Sequence, residues 1–526
     1  MSRPNPGWVR AGLALALSAT LLTTGCLTGE ADPPSASGDG TPAAGGELVI
    51  GTPADVASLD PVDGGGTVST AVRNLVYNYL VKYTPDLQLV PDLATEWEVD
   101  GTAWTFQLRQ GVTFHDGTPF NAEAVKAHFD RLLGPEEPVR AGVYTPFVDR
   151  VEVVDEHTVR FITTYPDAFF LSRLAEDAGA ITSPTAVEQG IDLAREPVGT
   201  GAFTFVEWVP DVQVIVERND DYWDTPALLD RVVFRPISEA SARTIALEAG
   251  DIHVAAEVPA ESLARLQADE DVELIFRDTT RQLFFGMHNL KEPFDDHRVR
   301  MAMNLAVDMD SIVASLYGEL GTALNGSVPP AAVGSYQPTE VFYDPQRARD
   351  LLADAGYPDG LELSMVGPRG RYLKDFELQQ AVAQELGKVG ITVTIESVEW
   401  AQYLDLVRQP TESSELHFWQ DAWTRADAAG VLRTRYHCDS FVPDGNNLTG
   451  YCDPALDALI EQAEQALDVA TRDRVLREAQ ELLAPQVPSL WGVGIRQAAA
   501  HRTGVHNVLL YGTEVLSVDN TTWIER

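Results

Sequence analysis

The chain has 526 residues, of which 44% are hydrophobic, and it carries a formal net charge of −41. A chain of this length is longer than those that usually fold around a single hydrophobic core, so two or three lobes are expected. The strong negative charge argues against nucleic acid and anionic lipid surfaces as binding partners, because their phosphates would be repelled.

The amino terminus has the pattern of an export signal. Two arginines precede a short apolar run over residues 11–22, which is too short to span a membrane, and small residues then lead to Cys26. Residues 1–25 are therefore predicted to be a signal peptide, and the small residues resemble a lipobox that would make Cys26 the lipidated first residue of the mature protein. Residues 26–46 are rich in Pro, Gly, Ser and Ala, which is typical of a flexible tether. We expect an exported protein, lipid-anchored at the outer face of the cell membrane or in the periplasm.

Apolar periodicity predicts an α/β body that begins with a strand at residue 47. Strands are expected at 47–51, 104–114, 148–162, 203–206, 284–289, 361–366 and 391–397, and helices at 68–80, 121–132, 298–317, 372–388 and 456–483. The last two strands and the helix between them form a β-α-β run, which implies a parallel pair with a right-handed crossover.

One segment, from Trp104 to Val125, carries more information than the rest. Its polar and glycine positions form a specific run: Arg109, Gly111-Val112, Phe114, Asp116-Gly117 and Pro119-Phe120. This run closely resembles the signature of the family 5 extracellular solute-binding proteins, the peptide and nickel receptors of ABC importers. Three further strings resemble the same family: the glycine turn at 197–201, Asn219 to Trp223, and Asp-Asp-x-Arg-Val-Arg-x-Ala at 295–302.

The resemblance implies a two-lobe, periplasmic-binding-protein-like fold of type II with mixed sheets and a hinge between the lobes. Lobe I would comprise residues 47–282 and 491–526, with an extra subdomain at 81–195, and lobe II would comprise 283–490. The implied function is capture of oligopeptides or dipeptides between the lobes and delivery to ABC permease subunits with their ATPases. A monomer without cofactor or metal is expected.

Other functions are less consistent with the sequence. The motifs HExxH, GxSxG, GxxxxGK[ST] and CxxC are absent, so an exported hydrolase has no recognisable catalytic group, and an enzyme is not expected. Open alternatives are the same fold with a nickel chelate, an oligosaccharide or an opine as ligand, and a surface adhesion lipoprotein.

The richest candidate for a binding site is the aromatic and acidic segment 418–429. Trp419 and Trp423 flank Asp421, and Asp427 lies four residues beyond Trp423. In peptide-binding members of the family, an aspartate in this neighbourhood pairs with the ligand α-ammonium group. The resemblance assigns that role to Asp427, with Asp421 as the second choice; the alternative is that the tryptophans are core and the aspartates surface residues.

A ligand carboxylate would need a cation, and Arg suits it because of its bidentate geometry. Arg369 and Arg371 lie in the loop between the strand and the helix of the β-α-β run, at the carboxyl end of a strand, where ligands of such sheets gather. In relatives selective for short peptides a basic residue in this loop has that role. The alternative is that both side chains face solvent.

Two cysteines remain besides Cys26. Cys438 and Cys452 enclose thirteen residues, and in an exported protein we expect them to form a disulfide that adds about 3 kcal/mol of stability. His437 beside them could suggest a metal site, but no second histidine or CxxC spacing supports one.

Overall fold

The computed structural model describes residues 42, 44–134, 138, 140–141, 144–338, 343–409, 416–443 and 445–525. The predicted signal peptide, Cys26 and nearly all of the predicted tether lie outside these residues. None of the helices found in these ranges is both long and apolar enough to cross a membrane.

The strands form one large mixed sheet and several smaller antiparallel sheets. In chain order they are β1 (Glu47–Thr52), β2 (Val81–Tyr83), β3 (Leu89–Pro91), β4 (Ala94–Asp100), β5 (Ala103–Leu108), β6 (Val148–Asp155), β7 (Thr158–Thr163), β8 (Phe203–Val209), β9 (Gln213–Arg218), β10 (Arg231–Pro236), β11 (Val254–Ala255), β12 (Val272–Met287), β13 (Gly321–Ala323), β14 (Leu361–Pro368), β15 (Ile391–Val398), β16 (Phe418–Thr424), β17 (Ser489–Arg502), β18 (Val505–His506), β19 (Leu509–Leu510), β20 (Leu516–Ser517) and β21 (Trp523–Ile524). The large sheet has eleven strands in the order β15-β14-β16-β12-β17-β11-β1-β10-β9-β8, with β13 paired to β17. The short pairs are β2-β3, β18-β21 and β19-β20.

The helices pack on these sheets. They are α1 (Gly66–Val76), α2 (Ala122–Leu132), α3 (Phe170–Leu174), α4 (Pro184–Glu188), α5 (Ala240–Ala249), α6 (Ala260–Gln267), α7 (His297–Ala306), α8 (Met309–Leu316), α9 (Pro345–Asp354), α10 (Asp375–Gly387), α11 (Trp400–Val407), α12 (Ala428–Tyr436), α13 (Pro454–Gln465) and α14 (Val469–Leu483). Elements of both kinds, together with parallel and antiparallel pairing in one sheet, confirm the predicted α/β class with mixed sheets.

The segment that carries the family signature forms a separate four-stranded antiparallel sheet, β4-β5-β7-β6, with α2. Trp104, Phe106 and Leu108 are buried on one face of β5, as their alternation predicts. The Asn121 side chain accepts a hydrogen bond from the amide of Ala124 at 3.0 Å and so caps α2. The strand, turn and helix predicted for this segment are confirmed.

The predicted β-α-β run is also confirmed, since β14 and β15 pair in parallel with α10 between them. Two predictions of single long helices are wrong. The helix expected over 298–317 ends at Ala306, and Asp308 caps α8 by accepting from the Ser311 amide at 3.0 Å. The helix expected over 456–483 divides in the same way, because Asp468 accepts from the Thr471 amide at 2.8 Å and starts α14.

Two long antiparallel strands, β12 and β17, run through the centre of the large sheet. The predicted boundary between residues 282 and 283 falls inside β12. The composition change there reflects burial, because β12 is mostly half-exposed near its start and fully buried near its end. Separate hydrophobic cores lie on either side of these strands, one containing Leu48 and Ile50 and another containing Met365 and Ile391. The lobe bounds stay a prediction.

A further contact joins the predicted subdomain to the helices α13 and α14. The Ala168 amide donates to the Glu464 carbonyl at 2.6 Å, and Arg472 donates to the Ala168 carbonyl at 3.1 Å. Phe169 is buried in the same cluster as Val475 and Ala463. The predicted subdomain therefore also contacts α13 and α14.

Candidate functional site

A cavity of about 500 Å³ lies where α1, the β2-β3 pair, the segment 509–520 and the end of β16 meet. Its wall is rich in tyrosine, asparagine and threonine, and these residues offer flat apolar surface together with hydrogen-bonding groups. The tyrosines are Tyr77, Tyr79, Tyr83, Tyr222 and Tyr511. A cavity of this size and mixed lining is suited to a small polar ligand.

One pair of opposite charges in the wall is already satisfied within the protein. Lys82 lies 3.3 Å from the carboxylate of Asp92. Asp92 also accepts hydrogen bonds from the Tyr79 amide at 2.9 Å and from the Asn78 side chain. Burial raises the pKa of Asp92, while Lys82 opposes that change. This pair maintains the shape of the wall and leaves neither charge free.

A second carboxylate, Asp177, is shared by two arginines. It accepts from the hydroxyl of Thr70 at 2.9 Å and from the fully buried guanidinium of Arg73 at 3.2 Å. The nearest nitrogen of Arg140 is farther away, at 3.7 Å, and the Arg140 side chain is 37% exposed. Asp177 therefore binds mainly Arg73 and forms a second, longer ion pair with Arg140.

Three more charged residues line the cavity, namely Arg425, Glu176 and Asp519, and none of them has an ion-pair partner in the part of the chain that the structure describes. Asp519 accepts hydrogen bonds from a neighbouring threonine. Arg425 is exposed, and its guanidinium carbon lies 5.0 Å from the centre of the Trp423 ring. Glu176 is exposed, but the residues around it raise its pKa by desolvation, an effect that Arg425 and Arg173 oppose. The cavity thus presents one cation, Arg425, and the carboxylates of Glu176 and Asp519 without an internal ion pair.

The predicted acidic anchor lies beside this cavity. Asp427 caps α12 by accepting from the Gly430 amide at 2.7 Å. Burial raises its pKa, chiefly by desolvation. Asp427 is not among the residues of the cavity wall, whereas Arg425 and Ala426 are. The role predicted for Asp427 stays a prediction.

The other residues of the segment 418–429 differ in position. Trp423 is half-buried and lies beneath Arg425, next to the cavity. Trp419 is a core residue, only 1% exposed, and it packs so closely on Gly286 that a Cβ there would lie 2.3 Å from its ring. Asp421 is buried, and desolvation raises its pKa to about 6. Only Trp423 and Asp427 of the predicted residues are therefore next to the cavity.

The predicted carboxylate partners lie elsewhere on the surface. Arg369 is exposed, with its guanidinium carbon 4.4 Å from the centre of the Phe376 ring. Arg371 is also exposed and lies 5.1 Å from the Trp400 ring. Neither belongs to the cavity wall. A role for either in ligand binding stays a prediction.

Three residues of the cavity were not found from the sequence. Arg425 lies inside the tryptophan-containing segment 418–429, two residues after Trp423, so its position could have indicated a binding role. Glu176 and Arg140 come from the predicted subdomain, more than two hundred residues away in sequence. No local pattern marks them, because only the packing of distant elements brings them to one cavity.

The structure joins Cys438 and Cys452 by a disulfide. These cysteines and Asp457 are the one cluster in the described ranges with the residue types and spacing to hold a metal ion. Both sulfurs are used in the disulfide, so they are not thiolate ligands. The Nδ1 atom of His437 accepts a hydrogen bond from the Asp439 amide at 3.1 Å, which occupies that nitrogen as well.

Comparison with known proteins places the chain in one family. The protein-family model described as bacterial extracellular solute-binding proteins, family 5 middle, matches residues 88–440. The glutathione-binding protein GsiB of Salmonella typhi is 30% identical over 464 residues, which cover 86% of this chain and 90% of that protein. The periplasmic binding protein DppA of Helicobacter pylori, solved with the peptide STSA, is 27% identical with a TM-score of 0.75 and coverage of 92% and 99%. AgaA of A. tumefaciens R10, solved with agropinic acid, is 26% identical with a TM-score of 0.74 and coverage of 91% and 99%. The chain therefore belongs to family 5 of the bacterial extracellular solute-binding proteins, which are the substrate-binding components of ABC transporters and not enzymes.

Proposed function

We propose that this protein is an exported lipoprotein that captures short peptides in the cavity and delivers them to an ABC permease. The observation that carries the proposal is that Arg425 and Glu176 line one cavity and have no ion-pair partner among the described residues. A peptide with free ends has one carboxylate and one ammonium group, so it supplies a partner for each. The cavity volume of about 500 Å³ is within the usual range for small-ligand sites.

The surroundings of the two charges favour binding of a charged ligand. The Trp423 ring supports the guanidinium of Arg425, which restricts its motion before the ligand arrives. A peptide that fills the cavity displaces water, and both ion pairs are then stronger than in bulk solvent. The tyrosine hydroxyls and asparagine amides of the wall are available for the peptide backbone.

The names of the relatives support an amino-acid-derived ligand. One is named for glutathione and another was solved with the peptide STSA, and both are peptides. A second candidate follows from AgaA, which was solved with agropinic acid, so an opine remains the alternative ligand class. Both classes carry a carboxylate, but only the peptides have a free amino terminus as a general feature.

The cavity wall also supports a closing motion as the capture step. Residues 66–92 and 509–520 come from predicted lobe I, and Thr424 to Ala426 come from predicted lobe II. A ligand that contacts both sets would stabilise the conformation in which they lie close together. Peptide binding and closure would then be coupled, and the closed form would be the one that the permease recognises.

The predicted lipid anchor completes the proposal. A diacylated Cys26 followed by a flexible tether would hold the body near the membrane, since a coil of that length reaches roughly 20 to 25 Å. The receptor could then sample solution and remain close to its permease.

Titration calorimetry of the purified protein tests the ligand class. Unmodified dipeptides and tripeptides are compared with their N-acetylated and C-amidated forms and with agropinic acid. We expect the unmodified peptides to bind and each blocked end to weaken binding by at least tenfold. Binding of agropinic acid with no detectable binding of any peptide would contradict the proposal and favour the opine alternative.

A further inference from the structure

The contact between the predicted subdomain and the helices α13 and α14 is small and specific. Its main-chain part is centred on Ala168, whose amide donates to the Glu464 carbonyl at 2.6 Å and whose carbonyl accepts from Arg472 at 3.1 Å. Glu464 lies in the last turn of α13, where carbonyls have no partner within the helix, and Arg472 lies in the first turn of α14. Residues 167–169, which we call the latch segment, therefore bind at the corner between the two helices.

The side chain of Phe169 provides the apolar part of this contact. Phe169 is buried in one hydrophobic cluster with Ala463 of α13 and Ala428 of α12. The guanidinium carbon of Arg472 lies 5.4 Å from the centre of the Phe169 ring. Separation of the subdomain from these helices would return this ring to water, so the contact favours the conformation in which they are together.

The latch segment is held in shape by its own subdomain. The buried carboxylate of Asp167 accepts from the Phe169 amide at 2.9 Å through one oxygen and from Nε of Arg173 at 2.9 Å through the other. These bonds fix the segment at the start of α3 and do not involve α13 or α14. Because the segment is ordered by its own subdomain, its docking on the two helices costs little further conformational entropy.

The latch segment also lies next to the cavity on both sides of the contact. Within the subdomain, only the short helix α3 and one further residue separate it from Glu176 in the cavity wall. On the other side, the wall residues 424–426 lead into α12, whose first residue, Ala428, belongs to the Phe169 cluster. The contact thus joins the part of the wall that carries Glu176 to the part that carries Arg425.

We propose that docking of Phe169 and Ala168 on α13 and α14 acts as a latch that holds the cavity closed around its ligand and so sets the rate of ligand dissociation. Phe169 and Arg472 are positioning residues, because they act on the ligand only by fixing the distance between Glu176 and Arg425. The long strands β12 and β17 would keep the predicted lobes connected while the latch opens. This inference rests on the proposed function, and it adds the contact that determines how long the closed form lasts.

Stopped-flow fluorescence of the full mature protein with Ala-Glu-Gly measures association and dissociation separately. Arg472→Gln removes the bond to the Ala168 carbonyl, keeps Phe169 and should speed dissociation about three- to tenfold. Phe169→Ala should speed it about ten- to hundredfold, and neither variant should slow association by more than about threefold. Arg474→Gln is the matched control, because Arg474 lies on the same helix and pairs with Glu478 within it, and it should dissociate at the parent rate.

Hydrogen exchange distinguishes a latch from a permanent structural contact. The Ala168 amide is bonded to Glu464 in the closed form, so it should exchange at least about tenfold more slowly with Ala-Glu-Gly bound than in the ligand-free parent. Equal protection with and without the peptide would overturn the inference and leave peptide capture intact. Dissociation at the parent rate in Arg472→Gln would overturn it as well, and this variant keeps the core intact if Phe169→Ala does not fold.

A ligand-independent measurement separates the latch from the function on which it rests. Failure of every tripeptide to bind would overturn the proposed function itself. Small-angle scattering of the ligand-free protein then decides the latch, because Phe169→Ala and Arg472→Gln should increase the radius of gyration and Arg474→Gln should not. Equal radii in the parent and in both latch variants would overturn the inference.

Discussion

The most direct prediction for a single residue concerns Glu176. Its carboxylate lines the cavity, has no ion-pair partner in the described ranges, and is proposed to bind the ligand ammonium. Glu176→Gln keeps the size and the hydrogen-bonding capacity of the side chain but removes the charge. The ligand ammonium would then lie near Arg425, Arg173 and Arg140 without the opposite charge of Glu176.

The expected loss of binding free energy in Glu176→Gln follows from the position of this side chain. Two unit charges about 4 Å apart at an effective dielectric constant of about 20 attract by about 4 kcal/mol. Because Glu176 retains contact with water, part of this is screened, and we expect a loss of about 1.5 to 3 kcal/mol. That corresponds to roughly ten- to 150-fold weaker binding.

The assay is titration calorimetry of Ala-Glu-Gly and its N-acetylated form against the parent and Glu176→Gln. The acetylated peptide has no ammonium, so the substitution should leave its weak affinity nearly unchanged. Asp427→Asn is the comparison variant, because asparagine caps a helix as well as aspartate and the bond to Gly430 is kept. A larger loss with Asp427→Asn than with Glu176→Gln would refute the assignment to Glu176 and support the anchor predicted from the sequence.

Three further predictions concern pH dependence, the disulfide and the anchor. Desolvation raises the pKa of Asp421 from 3.8 to about 6. Between these two values the folded state holds a proton that the unfolded chain releases. The contribution of this group to the free energy of unfolding is therefore fully present below about pH 4 and is lost as the pH rises through about 6. In urea unfolding, the free energy of unfolding of Asp421→Asn should therefore rise relative to that of the parent by up to about 3 kcal/mol between about pH 4 and 7. A difference in stability between variant and parent that does not depend on pH would contradict the burial of Asp421. Replacing Cys438 and Cys452 by serine should lower the free energy of unfolding by about 3 kcal/mol, and free alkylation of both thiols in the unreduced protein would rule the bond out. Cys26→Ser should release the protein from the membrane fraction, and full retention would show that Cys26 is not the anchor.

Local patterns in the sequence predicted the elements whose cause is local. The alternation of Trp104, Phe106 and Leu108 and the cap at Asn121 are properties of adjacent residues, and both appear in the structure as expected. The breaks before α8 and α14 have local causes too. Asp308 and Asp468 are good cap residues that the longer apolar periodicity obscured.

The candidate site was only partly predictable because it is built from distant segments. The segment with Trp423 was identified, but which of its charged side chains reaches the cavity depends on how α12 starts. Asp427 uses its carboxylate to cap that helix, and Arg425, two residues earlier, lines the cavity instead. Arg140 and Glu176 come from the predicted subdomain, and their meeting with Arg425 requires the packing of the whole fold.

The central claim is that the cavity selects peptides, and native mass spectrometry tests it most directly. The mature protein, stripped of bound ligand by mild urea, is mixed with equimolar acidic and neutral tripeptides, an oligosaccharide, agropinic acid and a nickel–histidine chelate. We predict one bound molecule per protein, with the mass of a tripeptide. Occupancy by the oligosaccharide, the opine or the chelate in preference to every peptide would contradict the account.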